Sequence, residues 1–245
     1  MRHPLAIVCS LIASVAVQAG CYAAPTERPP HVPEAYKPVY TQSFDTPESI
    51  KDFVFTDPGA WRHAKDQDSN GYLELHRASA YKPKHRSPLN IALIRLGDVG
   101  SFVLDVDMKQ VGREYGHRDL CVFFGFNAPE RYYYTHLATK GDQNAHQVFI
   151  VNDAPRTPIT NDRTKGVDWG KDVWRHVRVV RDAKKGEIRV YFDDMDKPVQ
   201  TAKDTAFRTG YVGFGSFDDV GRIDNIRLWA ESMGDEPCKH FEGKE

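Results

Sequence analysis

Apolar and polar residues alternate with a period of two along most of the chain. Phe102, Leu104, Val106 and Met108 alternate with Val103, Asp105 and Asp107. Ile188, Val190 and Phe192 alternate with Arg189 and Tyr191, and Val177 and Val179 with His176 and Arg178. Successive side chains of a strand point to opposite faces, so this period predicts strands with one face buried. Further strands are expected over 38–44, 71–77, 89–96, 118–127, 131–139, 145–152, 211–217 and 221–229. Turn residues separate them: Asn70-Gly71, Gly97-Asp98, Lys140-Gly141-Asp142 and Lys185-Gly186. The run Leu120 to Phe126 is apolar at both parities and reads as a central strand. No segment carries a helical stripe. About ten strands at this spacing predict an all-β fold, a two-sheet antiparallel jelly-roll sandwich.

The ends read differently. Arg2 and His3 precede an apolar run, Leu5 to Val17, followed by small residues up to Ala24. The run is shorter than the roughly 20 residues that span a bilayer. Residues 1–24 are therefore expected to be a secretory signal, with the chain secreted, periplasmic or in the cell envelope and no transmembrane segment in the mature part. Ala19-Gly20-Cys21 resembles the end of a bacterial lipoprotein box, which makes Cys21 a possible lipid anchor. Residues 25–38 hold five prolines and read as an extended linker. A single domain is expected over 39–230, and 231–245 reads as a loose polar tail. Cys121 and Cys238 remain in an oxidising compartment, either as a disulfide pinning the tail or as a buried thiol and a tail thiol.

Composition narrows the partners. The 245 residues include 33 Lys+Arg and 34 Asp+Glu, a formal net charge of −1. That balance argues against a nucleic-acid partner held by bulk charge. No nucleophile elbow, phosphate loop or tight zinc spacing is present.

The order of several segments carries a resemblance. Ser43-Phe44-Asp45 and Asp57-Pro58-Gly59-Ala60-Trp61 lead to Gly71-Tyr72-Leu73-Glu74-Leu75. Trp174-Arg175-His176-Val177-Arg178-Val179 precedes Gly186-Glu187-Ile188-Arg189-Val190-Tyr191-Phe192-Asp193-Asp194. Gly210-Tyr211-Val212-Gly213-Phe214-Gly215 precedes Ile223-Asp224-Asn225-Ile226-Arg227-Leu228. Over about 40–229 this resembles the concanavalin A-like lectin/glucanase superfamily. It looks closest to bacterial secreted laminin-G-like and 3-keto-disaccharide-hydrolase-like jelly rolls. The resemblance implies a concave sheet face that binds a polysaccharide or oligosaccharide. It also implies a structural Ca²⁺ between the first and last strands, at Asp45 and Asp224. The sequence lacks the Glu-x-Asp-x-x-Glu strand of the family-16 glucanases and the Gly-Asn-Ser-Gly stretch of the hydrolase-like group. A catalytic role therefore does not transfer from these relatives.

The candidate chemistry centres on Arg131-Tyr132-Tyr133-Tyr134-Thr135-His136-Leu137. On a strand, Tyr132, Tyr134 and His136 share one face. Their rings suit a sugar's C–H faces and their polar tips suit its hydroxyls; Tyr is also simply a good strand former. A Tyr beside a His also suits acid–base work, and some jelly-roll polysaccharide lyases use such a pair; that alternative makes Tyr134 and His136 catalytic, although their order and spacing match no lyase motif. The next strand is expected to pair as a hairpin. If His136 faces Val148, then Tyr132 faces Asn152, and His146 and Asn152 join that face. Arg118 and Arg156 complete the expected substrate-binding set. The basic loop Lys82-Pro83-Lys84-His85-Arg86 suits an acidic glycan. Three readings stay open: a hydrolase or lyase, a non-catalytic glycan-binding module, and an envelope interaction protein.

Overall fold

The structure is a computed structural model and describes residues 28–29 and 32–242. The chain divides after Pro30 into two units, and the second holds the fold. The expected signal and the Cys21 anchor lie outside the described residues. No helix among the described residues is long and apolar enough to cross a membrane.

Among the described residues sixteen strands form, separated by turns and two short 3-10 segments. They are β1 (Lys37–Gln42), β2 (Phe53–Phe55), β3 (Trp61–Lys65), β4 (Gly71–Leu75), β5 (Asn90–Ile94), β6 (Phe102–Gln110), β7 (Asp119–Ala128) and β8 (Arg131–Ala138). Then follow β9 (Gln147–Asn152), β10 (Thr157–Pro158), β11 (Thr160–Arg163), β12 (Arg175–Asp182), β13 (Glu187–Phe192), β14 (Gln200–Lys203), β15 (Tyr211–Ser216) and β16 (Gly221–Ala230). One sheet has nine strands in the order β11-β14-β13-β12-β6-β16-β4-β3, with β1 also paired to β16. The other has seven, in the order β10-β9-β8-β7-β15-β5-β2. The fold is the expected two-sheet antiparallel jelly roll. Short strands such as β2, β10 and β14 escape the sequence pattern because two to four residues hold too little alternation to see.

The alternation sets the main core. Leu104, Val106 and Met108 of β6 and Val177 and Val179 of β12 face Leu120, Val122 and Phe124 of β7 across the gap between the sheets. The intervening residues of the nine-stranded sheet turn outward. They are not simply wet: Arg178 grips Asp105 with two hydrogen bonds, 2.6 and 2.8 Å, and both side chains are buried. Glu74 lies between Arg62 and Arg222 on the same face. The turn at Lys185-Gly186 needs glycine, since Gly186 has φ of 76° and a Cβ there would meet the Asp204 carbonyl at 2.7 Å.

The outer face of the seven-stranded sheet builds a second apolar layer. Val54, Ile91, Leu93, Cys121, Phe123, Phe126, Tyr132, Tyr134, Phe149 and Val151 pack there with Cys238 and Phe241. Two segments roof this layer. One is the C-terminal strap: Gly234 N–H donates to Asp98 and Cys238 N–H to Leu96, each at 2.9 Å, and Arg95 pairs with Glu242. The Phe241 ring then meets Phe126 and Tyr81. The other is the 76–89 loop, held by Ser79 N–H on Asn90 Oδ1 (2.7 Å) and joined to the 153–156 loop by Arg156 N–H on the Arg86 carbonyl (3.0 Å).

Two boundaries expected from the sequence change accordingly. Residues 231–242 are not a loose tail, because Cys238 and Phe241 anchor them despite the charged residues between. Residues 32–36 are not a free linker, because Val32 and Tyr36 pack on Val103 and Trp229. Cys121 and Cys238 are both buried free thiols.

Candidate functional site

The hairpin of β8 and β9 forms as expected, but one residue out of the conditional register. Tyr132 faces Val151, Tyr134 faces Phe149 and His136 faces Gln147. Asn152 instead pairs with Arg131 and falls on the opposite parity. His146 leaves the face too. It has φ of 55°, and its Nε2 meets Thr164 Oγ1 at 2.9 Å while its Nδ1 lies 3.3 Å from the Gln200 amide nitrogen Nε2. Burial and the nearby Arg163 lower its pKa to about 4. Arg118 is also elsewhere: it is buried and donates to the Gly170 carbonyl at 2.7 Å.

Of the residues singled out from sequence, Tyr132, Tyr134, His136 and Arg156 come together. Arg156 Nη1 donates to the Tyr134 hydroxyl at 2.9 Å and Nη2 to the Asn144 carbonyl at 2.9 Å. Its guanidinium lies 4.5 Å from the Phe149 ring centroid and 4.4 Å from that of Phe217. Arg156 is half-buried, whereas Tyr132 and Tyr134 are wholly buried and His136 nearly so. The Tyr132 hydroxyl faces Ser87 without forming a proper hydrogen bond. Burial pushes the Tyr134 hydroxyl up. Burial, with the Arg156 charge, holds the His136 pKa down to about 3, so its imidazole is neutral near pH 7.

The fold adds a carboxyl hub that the sequence reading missed. Asp119 is fully buried beside His136, 3.8 Å from its Nε2. It accepts hydrogen bonds from Ser216 Oγ (3.1 Å), Phe217 N–H (3.1 Å) and Cys121 Sγ (3.0 Å). Asp219 in turn accepts from Tyr115 (2.7 Å) and from the Asp119 N–H (3.0 Å). Burial and the Asp219 charge raise the Asp119 pKa to about 8. Asp119, Asp218 and Asp219 bring one oxygen each within 4.8 Å of one another. Two of the three are buried, and their internal bonds tie β7, the 115 loop and the end of β15 together. The only signal in the sequence was an acid at each of two strand ends, about a hundred residues apart.

Asp45 and Asp224 lie on other elements. Asp224 is buried in β16, and its oxygens accept from Asn70 Nδ2 (2.9 Å) and the Asn225 N–H (2.7 Å). Its pKa is raised to about 6, chiefly by burial, with the Asp107 and Asp45 charges adding to it. Asp45 is exposed and accepts from Ser43. Among the described residues, the group of three acids whose oxygens come within 4.8 Å of one another is Asp119, Asp218 and Asp219, and neither Asp45 nor Asp224 belongs to it.

At the opposite end of the seven-stranded sheet from Asp119, an open cleft of about 570 Å³ lies between two loops. It is lined by Asn127, Ala128 and Arg131 on one side and by Thr205, Ala206, Phe207, Arg208 and Thr209 on the other. Asn127 Nδ2 joins the walls by donating to the Thr209 carbonyl at 2.9 Å. The Arg131 guanidinium lies 5.7 Å from the Phe207 ring centroid.

No family model matches the sequence, and no curated protein matches it. Solved structures do match the fold. Carbohydrate binding module CBM66 from Bacillus subtilis aligns at a TM-score of 0.50 with 13% identity, over 71% of this chain and 93% of that one. Domain 4 of AbnA, a GH43 extracellular arabinanase from Geobacillus stearothermophilus in complex with arabinotriose, aligns at 0.50 with 13% identity, over 81% and 95%. Winged bean acidic lectin complexed with methyl-α-D-galactose aligns at 0.51 with 12% identity, over 78% and 98%. These likenesses establish a concanavalin A-like jelly roll, the fold expected from the order of the sequence segments.

Proposed function

We propose that the protein is an exported carbohydrate-binding protein without catalytic activity. The observation that carries this reading is the burial of the acid–base groups on the seven-stranded face. Tyr134, His136 and Asp119 are buried and spent on internal bonds. General acid–base catalysis needs such a group within hydrogen-bond reach of a substrate. The fold supports the carbohydrate half: a binding module, an arabinanase domain solved with arabinotriose and a lectin solved with a galactoside share it. Fold alone does not fix function, so the binding must be tested directly.

The lyase reading with Tyr134 and His136 requires Arg156 and the roof to move aside. Of the substrate-binding set expected from sequence, Arg156 and Asn152 reach solvent. Calcium at Asp45 and Asp224 belongs to the same proposal as a structural ion that would neutralise the buried Asp224. A lipid anchor at Cys21 would hold the protein at a membrane surface after export.

The test incubates the protein with neutral and uronate-containing polysaccharides in Ca²⁺, then measures retention on each and the masses of soluble products. Retention without shortened products is expected. Products of hydrolytic mass, or products lighter by one water, would refute the non-catalytic reading, and the lighter ones would point to Tyr134 and His136. Absence of both retention and products, with a protein that co-purifies, would favour an envelope interaction protein.

A further inference from the structure

The cleft between the 127–131 turn and the 205–209 loop is built as a rigid, positively charged receptor. Its lining holds two guanidinium groups, Arg131 and Arg208, and no carboxylate. Both arginines are exposed. Arg131 has Asp153 at 3.9 Å, a carboxylate that is itself largely in solvent and adds little. Arg208 forms no ion pair among the described residues. Thr205 and Thr209 add hydroxyls.

The walls are fixed before any ligand arrives. The Tyr133 hydroxyl bonds Asp204 and accepts from the Phe207 N–H at 3.0 Å. Arg181 Nη2 donates to the Asp204 and Phe207 carbonyls at 3.0 and 3.2 Å. Gly125, with φ of 56°, turns the other wall, and its carbonyl accepts from Asn127 Nδ2 at 2.9 Å. A site fixed in this way loses little ordering entropy on binding. Its volume falls in the range of small-molecule sites.

We propose that this cleft is the glycan site and that it selects a sugar bearing a carboxylate, a uronate. The inference rests on the carbohydrate-binding reading and adds to it a place and a ligand class. A guanidinium presents a planar fork of donors that matches a carboxylate with two parallel bonds. The threonine hydroxyls and the Asn127 amide oxygen supply the neutral donors and acceptors that sugar hydroxyls need. A neutral glycan would leave Arg208 without a counter-charge and Arg131 with only the exposed Asp153. On the seven-stranded face, Cys238 and Phe241 already pack against the aromatic layer.

The test is chemical-shift mapping and calorimetry on the full chain at low salt. The probes are the tetrasaccharides of galacturonate, mannuronate and glucuronate, each beside its methyl ester, which keeps the ring and removes the charge. At least one uronate is expected to bind tenfold or more tightly than its ester, with shifts confined to 127–131 and 205–209. Arg131→Gln and Arg208→Gln should each weaken it at least fivefold, with Arg208→Lys intermediate and the melting temperature unchanged in all three. Equal binding of the esters, shifts elsewhere, or full affinity in both Gln variants would overturn the proposal. Binding of the esters or of neutral glycans alone would overturn it while leaving the carbohydrate reading intact. No binding to any glycan would remove both.

Discussion

The C-terminal strap makes a quantitative claim that Phe241→Ala tests. The Phe241 ring is 6% exposed and sits 5.7 Å from the Phe126 ring and 5.8 Å from that of Tyr81. Burying such a ring is worth about 1.5–3 kcal/mol, and each aromatic pair adds about 0.5–1.5 kcal/mol. A full core Phe→Ala change costs about 3–5 kcal/mol. The strap is terminal and can release without unfolding the sandwich, so the loss falls on docking rather than on global stability. A docking loss of about 3 kcal/mol raises the released fraction roughly 100-fold.

Cys238 reports that release. It is wholly buried, and burial raises its thiol pKa to about 11, so it is inert while docked. Native-state labelling with N-ethylmaleimide at pH 8, read by peptide mass at Cys238 and Cys121, follows the opening. In Phe241→Ala the Cys238 rate should rise roughly 100-fold. Cys121 should stay slow, because it is bonded to Asp119 at the other end of the face. An unchanged Cys238 rate would refute the anchoring role. A parallel rise at both thiols would show that the whole sandwich opens and that the strap is not a separate unit.

Tyr132→Phe removes a buried hydroxyl that makes no proper hydrogen bond and should change stability by less than about 0.5 kcal/mol. Tyr133→Phe removes a hydroxyl bonded to Asp204 and Phe207 and should cost about 1–3 kcal/mol; urea unfolding of the pair checks both. Asp119 binds its proton more tightly folded than unfolded, so its contribution is full below about pH 4 and lost as pH rises to about 8. His136 runs the other way, its contribution being present above about pH 6.5 and lost as pH falls toward 3. Between pH 6.5 and 8, Asp119→Asn should therefore remove a fall in stability of up to ~1.4 kcal/mol per pH unit, and identical slopes in variant and wild type would sink that assignment. Calcium at a hundredfold excess over its dissociation constant should stabilise by about 2.7 kcal/mol relative to EDTA. Asp224→Asn should abolish the shift in melting temperature; if Asp218→Ala abolishes it instead, the ion sits with Asp119 and Asp219.

The fold was legible because strand alternation is written locally. Phe102 to Met108 and Val177 to Phe192 name their own buried faces, and the segment order around Trp61, Trp174 and Gly213 carries the topology. The site was not legible for two reasons. Register across the β8–β9 hairpin is set by where the 140–146 turn closes, and a shift of one residue moved Asn152 to the opposite parity. The carboxyl hub joins Asp119 to Asp219, residues on elements that nothing in either local sequence connects. The strap was misread because its charged residues outnumber its two anchors, and composition averages cannot see that Cys238 and Phe241 land on an aromatic floor.

That floor also bears on where we propose that a glycan binds. Tyr132, Tyr134 and His136 have the chemistry of a sugar groove, and in an open jelly roll their face would be the first place to look for one. Here Phe123, Phe126, Phe149 and the two tyrosines form stacked and edge contacts with one another and with the strap. The same aromatic content that predicts binding when exposed supplies a second core when roofed. A chain that closes this face keeps its loop ends free, and there the arginines of the 127–131 and 205–209 walls stand in solvent without a buried partner. Burial thus argues for a stabilising role of the tyrosine strand and directs the proposed recognition to the loop-end cleft.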